Sequence, residues 1–161
     1  MEINKITDYI SDEEKFLELA KKIYEITSGL DEIYPDYEKW FYEKQVKESI
    51  LGKRDIIFII EQQEIIAISS VKKTNEEKKI CTLYVKDEYR NKGIGSILLE
   101  ESFKYLETDK PLITFCDSMI SIYTEFINKY NWELQEILED YYETGKSEYC
   151  YNGKLKNKQK V

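Results

Sequence analysis

Histidine is absent from the 161 residues. Its absence removes the commonest zinc ligand and every arrangement in which an imidazole activates a serine or cysteine. Cysteine is scarce: Cys81, Cys116 and Cys150 lie far apart, with no C-x-x-C pair. An odd, unclustered set predicts buried thiols in a reducing compartment, not a disulfide framework. Positive charge is also in short supply. Lys and Arg number 24 against 32 Asp and Glu, a formal charge of −8, and the only arginines are Arg54 and Arg90. Such a surface repels phosphate backbones, so no nucleic-acid partner is expected. No apolar run approaches the length of a membrane span, and residues 1–5 lead into a charged amphipathic stretch that lacks a signal-peptide core. The expectation is a cytoplasmic protein without a membrane partner.

What the chain does have is enough apolar sequence for one core. Apolar residues make up 42% and charged residues 35%, the balance of a single globular domain. Residues 1–153 are read as that domain and residues 154–161 as a Lys-rich tail with the pattern of a solvated end. Residues 2–8 alternate weakly, as a short edge strand would. Phe16, Leu19, Ala20, Ile23 and Ile26 recur at three- and four-residue steps and predict a helix over 11–27, with Ser11 and Glu14 as a capping box and Gly29 at its end. A second helix is predicted over 37–51, capped by Asp36 and closed by Gly52.

The period then changes. Residues 56–60 form a continuous β-branched and aromatic run, as in a strand covered on both faces. A polar tetrapeptide connects it to a strand at 65–71, and a further strand follows at 80–85. Residues 94–106 read as helix and 112–116 as strand. Met119, Ile122, Tyr123, Phe126, Ile127 and Tyr130 then follow a helical series. Two final strands are expected near 132–138 and 147–151. The order is β-α-α-β-β-β-α-β-α-β-β, a mixed α/β domain.

One stretch carries chemistry. Leu83-Tyr84-Val85 ends a strand, a turn holds Arg90, Asn91, Lys92, Gly93 and Gly95, and a helix opens at Ile94 and Ser96. Glycines there allow positive φ and close backbone approach to a ligand. The free N–H groups at a helix start favour an anion, and Arg90 and Lys92 add local positive charge. Two other phosphate motifs fail. There is no G-x-x-x-x-G-K-[ST] run, and Leu98 stands where G-x-G-x-x-G needs its last glycine.

R-x-x-G-x-G after L-Y-V, in strand–loop–helix context, resembles the GNAT superfamily of acyl-CoA-dependent N-acetyltransferases. The element order of nearly the whole chain agrees. The resemblance implies a mostly antiparallel central sheet of about six or seven strands with a splayed parallel pair, flanked by about four helices. It also implies acetyl-CoA as co-substrate. Backbone N–H groups from Asn91, Lys92, Gly93, Ile94, Gly95 and Ser96 would bind its pyrophosphate, with Arg90 bracing the loop or a phosphate. Leu83, Tyr84 and Val85 would contact the pantetheine arm, and a strand N–H would polarise the thioester carbonyl. The partners implied are acetyl-CoA and a primary amine, either a small molecule or a protein N-terminus or lysine. A homodimer is compatible with the resemblance.

The pattern departs from the family at the proton-transfer groups. Ile127 stands where many relatives carry a Tyr on the last helix. The two usual positions for a Glu hold residues 79–81 of one strand and the run Leu112-Ile113-Thr114-Phe115-Cys116 of the next. Amine acetylation uses a base for the ammonium and an acid for the departing thiolate. Tyr142, in a loop like one that closes over the acceptor in N-terminal protein acetyltransferases, is the catalytic candidate. Tyr123 and Tyr130 lie near the missing acid but belong to the apolar stripe. Asp31, Glu32, Tyr34 and Tyr37, in a loop that commonly lines the acceptor pocket, are the substrate-binding candidates. The alternative function is a catalytically weak or inactive CoA-binding regulatory module.

Overall fold

In the computed structural model, which describes residues 1–155, seven strands form one sheet. They are β1 (Glu2–Lys5), β2 (Arg54–Glu61), β3 (Glu64–Lys73), β4 (Lys78–Val85), β5 (Leu112–Cys116), β6 (Leu134–Glu139) and β7 (Ser147–Tyr151). The order is β1-β2-β3-β4-β5-β7-β6, with β4 and β5 parallel and every other pair antiparallel. The β2–β3 hairpin closes through Gln62 and Gln63, both at positive φ. Two such residues match the twist of the strands even without the usual glycine.

Helix α1 (Glu13–Thr27) is followed by a 3-10 turn, Ser28–Glu32. Then α2 (Tyr37–Trp40), a π-helical stretch Phe41–Val46 and α3 (Lys47–Ile50) run on as one rod. Together these cover one face of the sheet, where Phe16, Ile23, Tyr37 and Phe41 bury against Ile56, Phe58 and Ile68. Helices α4 (Ile94–Leu106) and α5 (Ile120–Tyr130) cover the other, with Leu98, Leu106 and Tyr123 against Ile57, Ile66, Ile80 and Phe115. The alternation of β2 and β3 feeds both layers, which explains their unbroken apolar runs.

Three local expectations shift. Asp12, not Ser11, caps α1: its carboxylate accepts from Lys15 N at 3.1 Å. The predicted second helix contains the π stretch, where buried Gln45 donates to Asp55 O at 2.7 Å. Cys81 is half-buried, unlike Cys116 and Cys150, and takes a 3.3 Å contact from Arg54 Nη1. Leu155 packs against Leu112 and Cys150, and residues 156–161 of the expected tail lie outside the described residues. No described helix is long and apolar enough to cross a membrane.

The feature that positions the site is the parting of β4 and β5. They pair only at Lys79–Leu112 and Ile80–Ile113. On its other side β4 skips register: Ile80 opposes Val71 and Thr82 opposes Ser70, leaving Cys81 as the extra residue. A bulge bends its strand and raises the local twist, so β4 swings away from β5 toward its C-terminal end.

Candidate active site

Beyond Ile80 the edge of β4 has no partner strand on the β5 side. The chain leaves β4 through a 3-10 turn, Asp87–Tyr89, and enters α4 at Gly93, which adopts φ 80°. Arg90 holds the turn together. Its Nε donates to Val85 O at 2.9 Å, its Nη1 pairs with Asp87 at 3.1 Å, and its guanidinium lies 5.8 Å from the Tyr84 ring centroid. The first turn of α4 contains no acidic residue, so its orphan N–H groups present undiluted positive potential. A Cβ at Gly95 would sit 3.3 Å from Phe126 Cζ, a tight contact that the ring could accept only by giving slightly.

This loop, the end of β4 and the start of α5 line a groove of about 620 Å³. Leu83, Tyr84, Val85, Arg90, Asn91, Gly93, Gly95 and Ser96 all contribute. Lys92 and Ile94 do not line it: Lys92 Nζ lies over the Tyr89 ring, and Ile94 packs into the core.

A second, much smaller cavity of about 30 Å³ continues from the groove. The two share Leu30, Leu83, Met119 and Tyr123. Its walls include Tyr34, Tyr37, Trp40, Lys79, Thr114 and Tyr142, and on β7 it holds Glu148, which is 3% exposed. Burial raises the Glu148 carboxyl from its ordinary 4.5 to about 7, against the opposing pull of hydrogen bonds from Thr114 and Tyr34 and of the Lys79 charge. The Tyr34 hydroxyl reaches both carboxylate oxygens, at 3.4 and 3.3 Å. Tyr142 meets Tyr34 edge-on with ring centroids 5.0 Å apart. Burial and the neighbouring Glu148 push the Tyr34, Tyr142 and Tyr123 phenols far above their usual range, so all three stay protonated.

The acceptor-loop candidates separate. Tyr34 and Tyr37 line the small cavity. Tyr37 is buried, donates to Thr27 Oγ1 at 2.9 Å, and is pushed up to about 12 by burial. Asp31 instead accepts from Tyr24 at 2.7 Å, Glu32 is exposed, and neither lines a cavity with Glu148. Ile127 packs into the core, and Tyr130 stacks beside Trp132.

Sequence reasoning missed Glu148. Its one signal lay in the period of β7: Glu148 shares a face with Cys150 and sits opposite Cys116, a carboxylate at an inward position.

Residues 53–129 match the family model described as Acetyltransferase (GNAT) domain. Three solved structures with the same fold illustrate the likeness. A GNAT-family acetyltransferase candidate from Desulfovibrio desulfuricans superposes with a TM-score of 0.66 at 13% identity, over 83% of this chain and 90% of that one. An aminoglycoside 6′-N-acetyltransferase complexed with coenzyme A gives 0.66 at 13% identity, over 98% and 100%. A GNAT-family acetyltransferase from Elizabethkingia anophelis with acetyl-CoA bound gives 0.52 at 18%, over 68% and 81%. At these identities the likeness is one of fold. No curated protein sequence matches the chain.

Proposed function

We propose that the protein, whose residues 53–129 match a GNAT acetyltransferase domain model and whose fold is that of GNAT acetyltransferases, transfers an acetyl group from acetyl-CoA to a primary amine by direct attack. The observation that carries this reading is the junction of the two cavities. A groove floored by a helix start opens, at Leu83 and Tyr123, into a small chamber with one buried carboxylate.

Acetyl-CoA fits the groove as substrate. The N–H groups at Asn91, Gly93, Gly95 and Ser96 suit the pyrophosphate. The free edge of β4 at Leu83 and Val85 suits an extended, amide-bearing arm, and a strand N–H there would polarise the thioester carbonyl. The amine acceptor then enters the chamber. Glu148 takes the proton from its ammonium, a task matched to a carboxyl that titrates near neutrality. Tyr34 orients that carboxyl, and Tyr142, facing the acceptor, helps to keep water from it. As the N–C bond forms and the C–S bond breaks, the second proton on the nitrogen passes to the departing sulfur through the Tyr123 hydroxyl, which gives its own proton to the sulfur and takes the nitrogen's. The products are the neutral amide, the CoA thiol, protonated Glu148 and an unchanged phenol. No imidazole is available to activate a thiol or hydroxyl, which favours direct attack over an acyl-enzyme. Residues 1–153 act as one catalytic domain, in the cytoplasm.

Initial velocities of thiol release, with acetyl-CoA and an amine both varied, test the proposal. Intersecting lines are expected. Coenzyme binding without release across an amine panel would instead leave the CoA-binding regulatory module. A Cys81 or Cys116 adduct that forms and discharges at the turnover rate would replace direct attack by an acyl-enzyme.

A further inference from the structure

Resting on the acetyl-transfer reading, we propose that Lys79 is an anion anchor in the acceptor chamber, and that the acceptor is a slender amine bearing a carboxylate, of the amino-acid class. Three observations carry this.

The first is placement. Lys79 lines the same small cavity as Glu148, Cys81 and Thr114. Along β4 the cofactor-facing residues come at the C-terminal end and Lys79 at the other, where the strand still pairs with β5. Because Lys79 lines the same cavity, an acceptor whose nitrogen lies beside Glu148 and the thioester can extend its remaining atoms toward it.

The second is the state of its charge. Three nearby lysines are neutralised, Lys72 by Glu77 at 3.1 Å, Lys73 by Glu107 at 3.1 Å and Lys86 by Glu64 at 3.6 Å. Lys79 is half-buried and, among the described residues, has no ion-pair partner. Its charge favours the ionised form of Glu148. A half-buried, unpaired ammonium beside Tyr37 and Trp40 is unfavourable on its own. Its cost is offset when a ligand supplies the anion.

The third is size. About 30 Å³ of free space holds two or three waters, at roughly 10–15 Å³ each on this measure. A short chain suits this space better than a sugar or cyclitol ring. Within that limit the charges discriminate. A zwitterion places its ammonium at Glu148 and its carboxylate at Lys79. A diamine would bring a second cation against Lys79, and a plain alkylamine would leave the lysine unpaired.

The test compares glycine and β-alanine with glycinamide and β-alaninamide, in kcat/KM and in calorimetric binding to the CoA-loaded protein. The amides are the weaker bases and so are more neutral at a given pH. Any preference for the acids therefore opposes amine ionisation. The acids should be favoured about tenfold to a hundredfold, the range for a charge-assisted contact. Lys79→Gln should bring the ratio toward one, and Lys79→Arg should keep it. Equal treatment of acids and amides, or a ratio unmoved in Lys79→Gln, overturns the proposal. The binding arm separates it from its premise. Acid-selective binding without thiol release keeps the anion anchor and removes acetyl transfer, while turnover without selectivity does the reverse.

Discussion

A carboxylate that is 3% exposed and faces tyrosine rings gives two consequences that differ in sign with pH. For catalysis, Glu148 must be ionised to accept a proton. Since burial raises it to about 7, kcat/KM should fall about tenfold per pH unit below neutrality. Glu148→Gln should lower kcat by roughly 10²- to 10⁴-fold and abolish that acid limb; an unchanged limb in the variant assigns the base elsewhere. For stability, the folded carboxyl binds its proton more tightly than the unfolded one at 4.5. The stabilising contribution is therefore complete below about pH 4.5 and is lost as pH rises through 7, at up to about 1.4 kcal/mol per unit. Urea unfolding of Glu148→Gln between pH 5 and 8 should show a flatter profile than wild type. The proposed base was hard to see in the sequence. Glu148 meets Tyr34 across 114 residues, and its burial depends on a loop, an inter-helix turn and a strand that come together only in the folded sheet.

The strand–turn–helix from β4 to α4 was legible because its determinants are local. The helix start at Ile94 and its end at Leu106 fall where the apolar series and Gly93 put them. Less local features escaped. The π stretch at 41–46 shifts the phase of a helix without changing its composition, and Asp12 and Ser11 compete for one cap on equal chemistry. Substitution of Gly93, at φ 80°, separates structure from binding. Gly93→Ala should cost about 1–2 kcal/mol through left-handed strain alone, lowering Tm by about 2–8 °C. Apart from its own chain neighbours and the adjoining helix backbone, nothing lies within 4 Å of the added Cβ, so tertiary packing does not add to that. Gly93→Val fills the same open space with a branched side chain, in the region assigned to the pyrophosphate. It should weaken CoA binding at least tenfold in calorimetry beyond any loss explained by unfolding. An unweakened, folded Gly93→Val protein moves the phosphate cradle away from this turn. Asp12→Ala, remote from the groove, should cost about 1 kcal/mol in stability and leave CoA affinity alone.

At the scale of the molecule, the excess of eight negative charges opposes the arrival of a polyanionic coenzyme. The groove answers with little: Arg90 is already paired to Asp87, Lys92 lies on Tyr89, and Glu125 is among the lining residues. In the proposed binding mode what favours the phosphates is short-ranged, namely the N–H groups of the first turn of α4, whose field fades within that turn. The repulsion is long-ranged and acts across a Debye length of about 30 Å at 0.01 M salt but only about 8 Å at 0.15 M. Raising the salt over that interval therefore removes more of the repulsion than of the attraction. The association rate of CoA, followed by stopped flow, should rise several-fold from 0.01 to 0.15 M, opposite to the trend of a basic phosphate site. Pantetheine, which lacks the phosphates, should show no such rise and serves as the control. A CoA rate that falls with salt would mean that Arg90, Lys92 and the helix start outweigh the rest of the surface. In that case the acidity of the chain would not govern coenzyme capture.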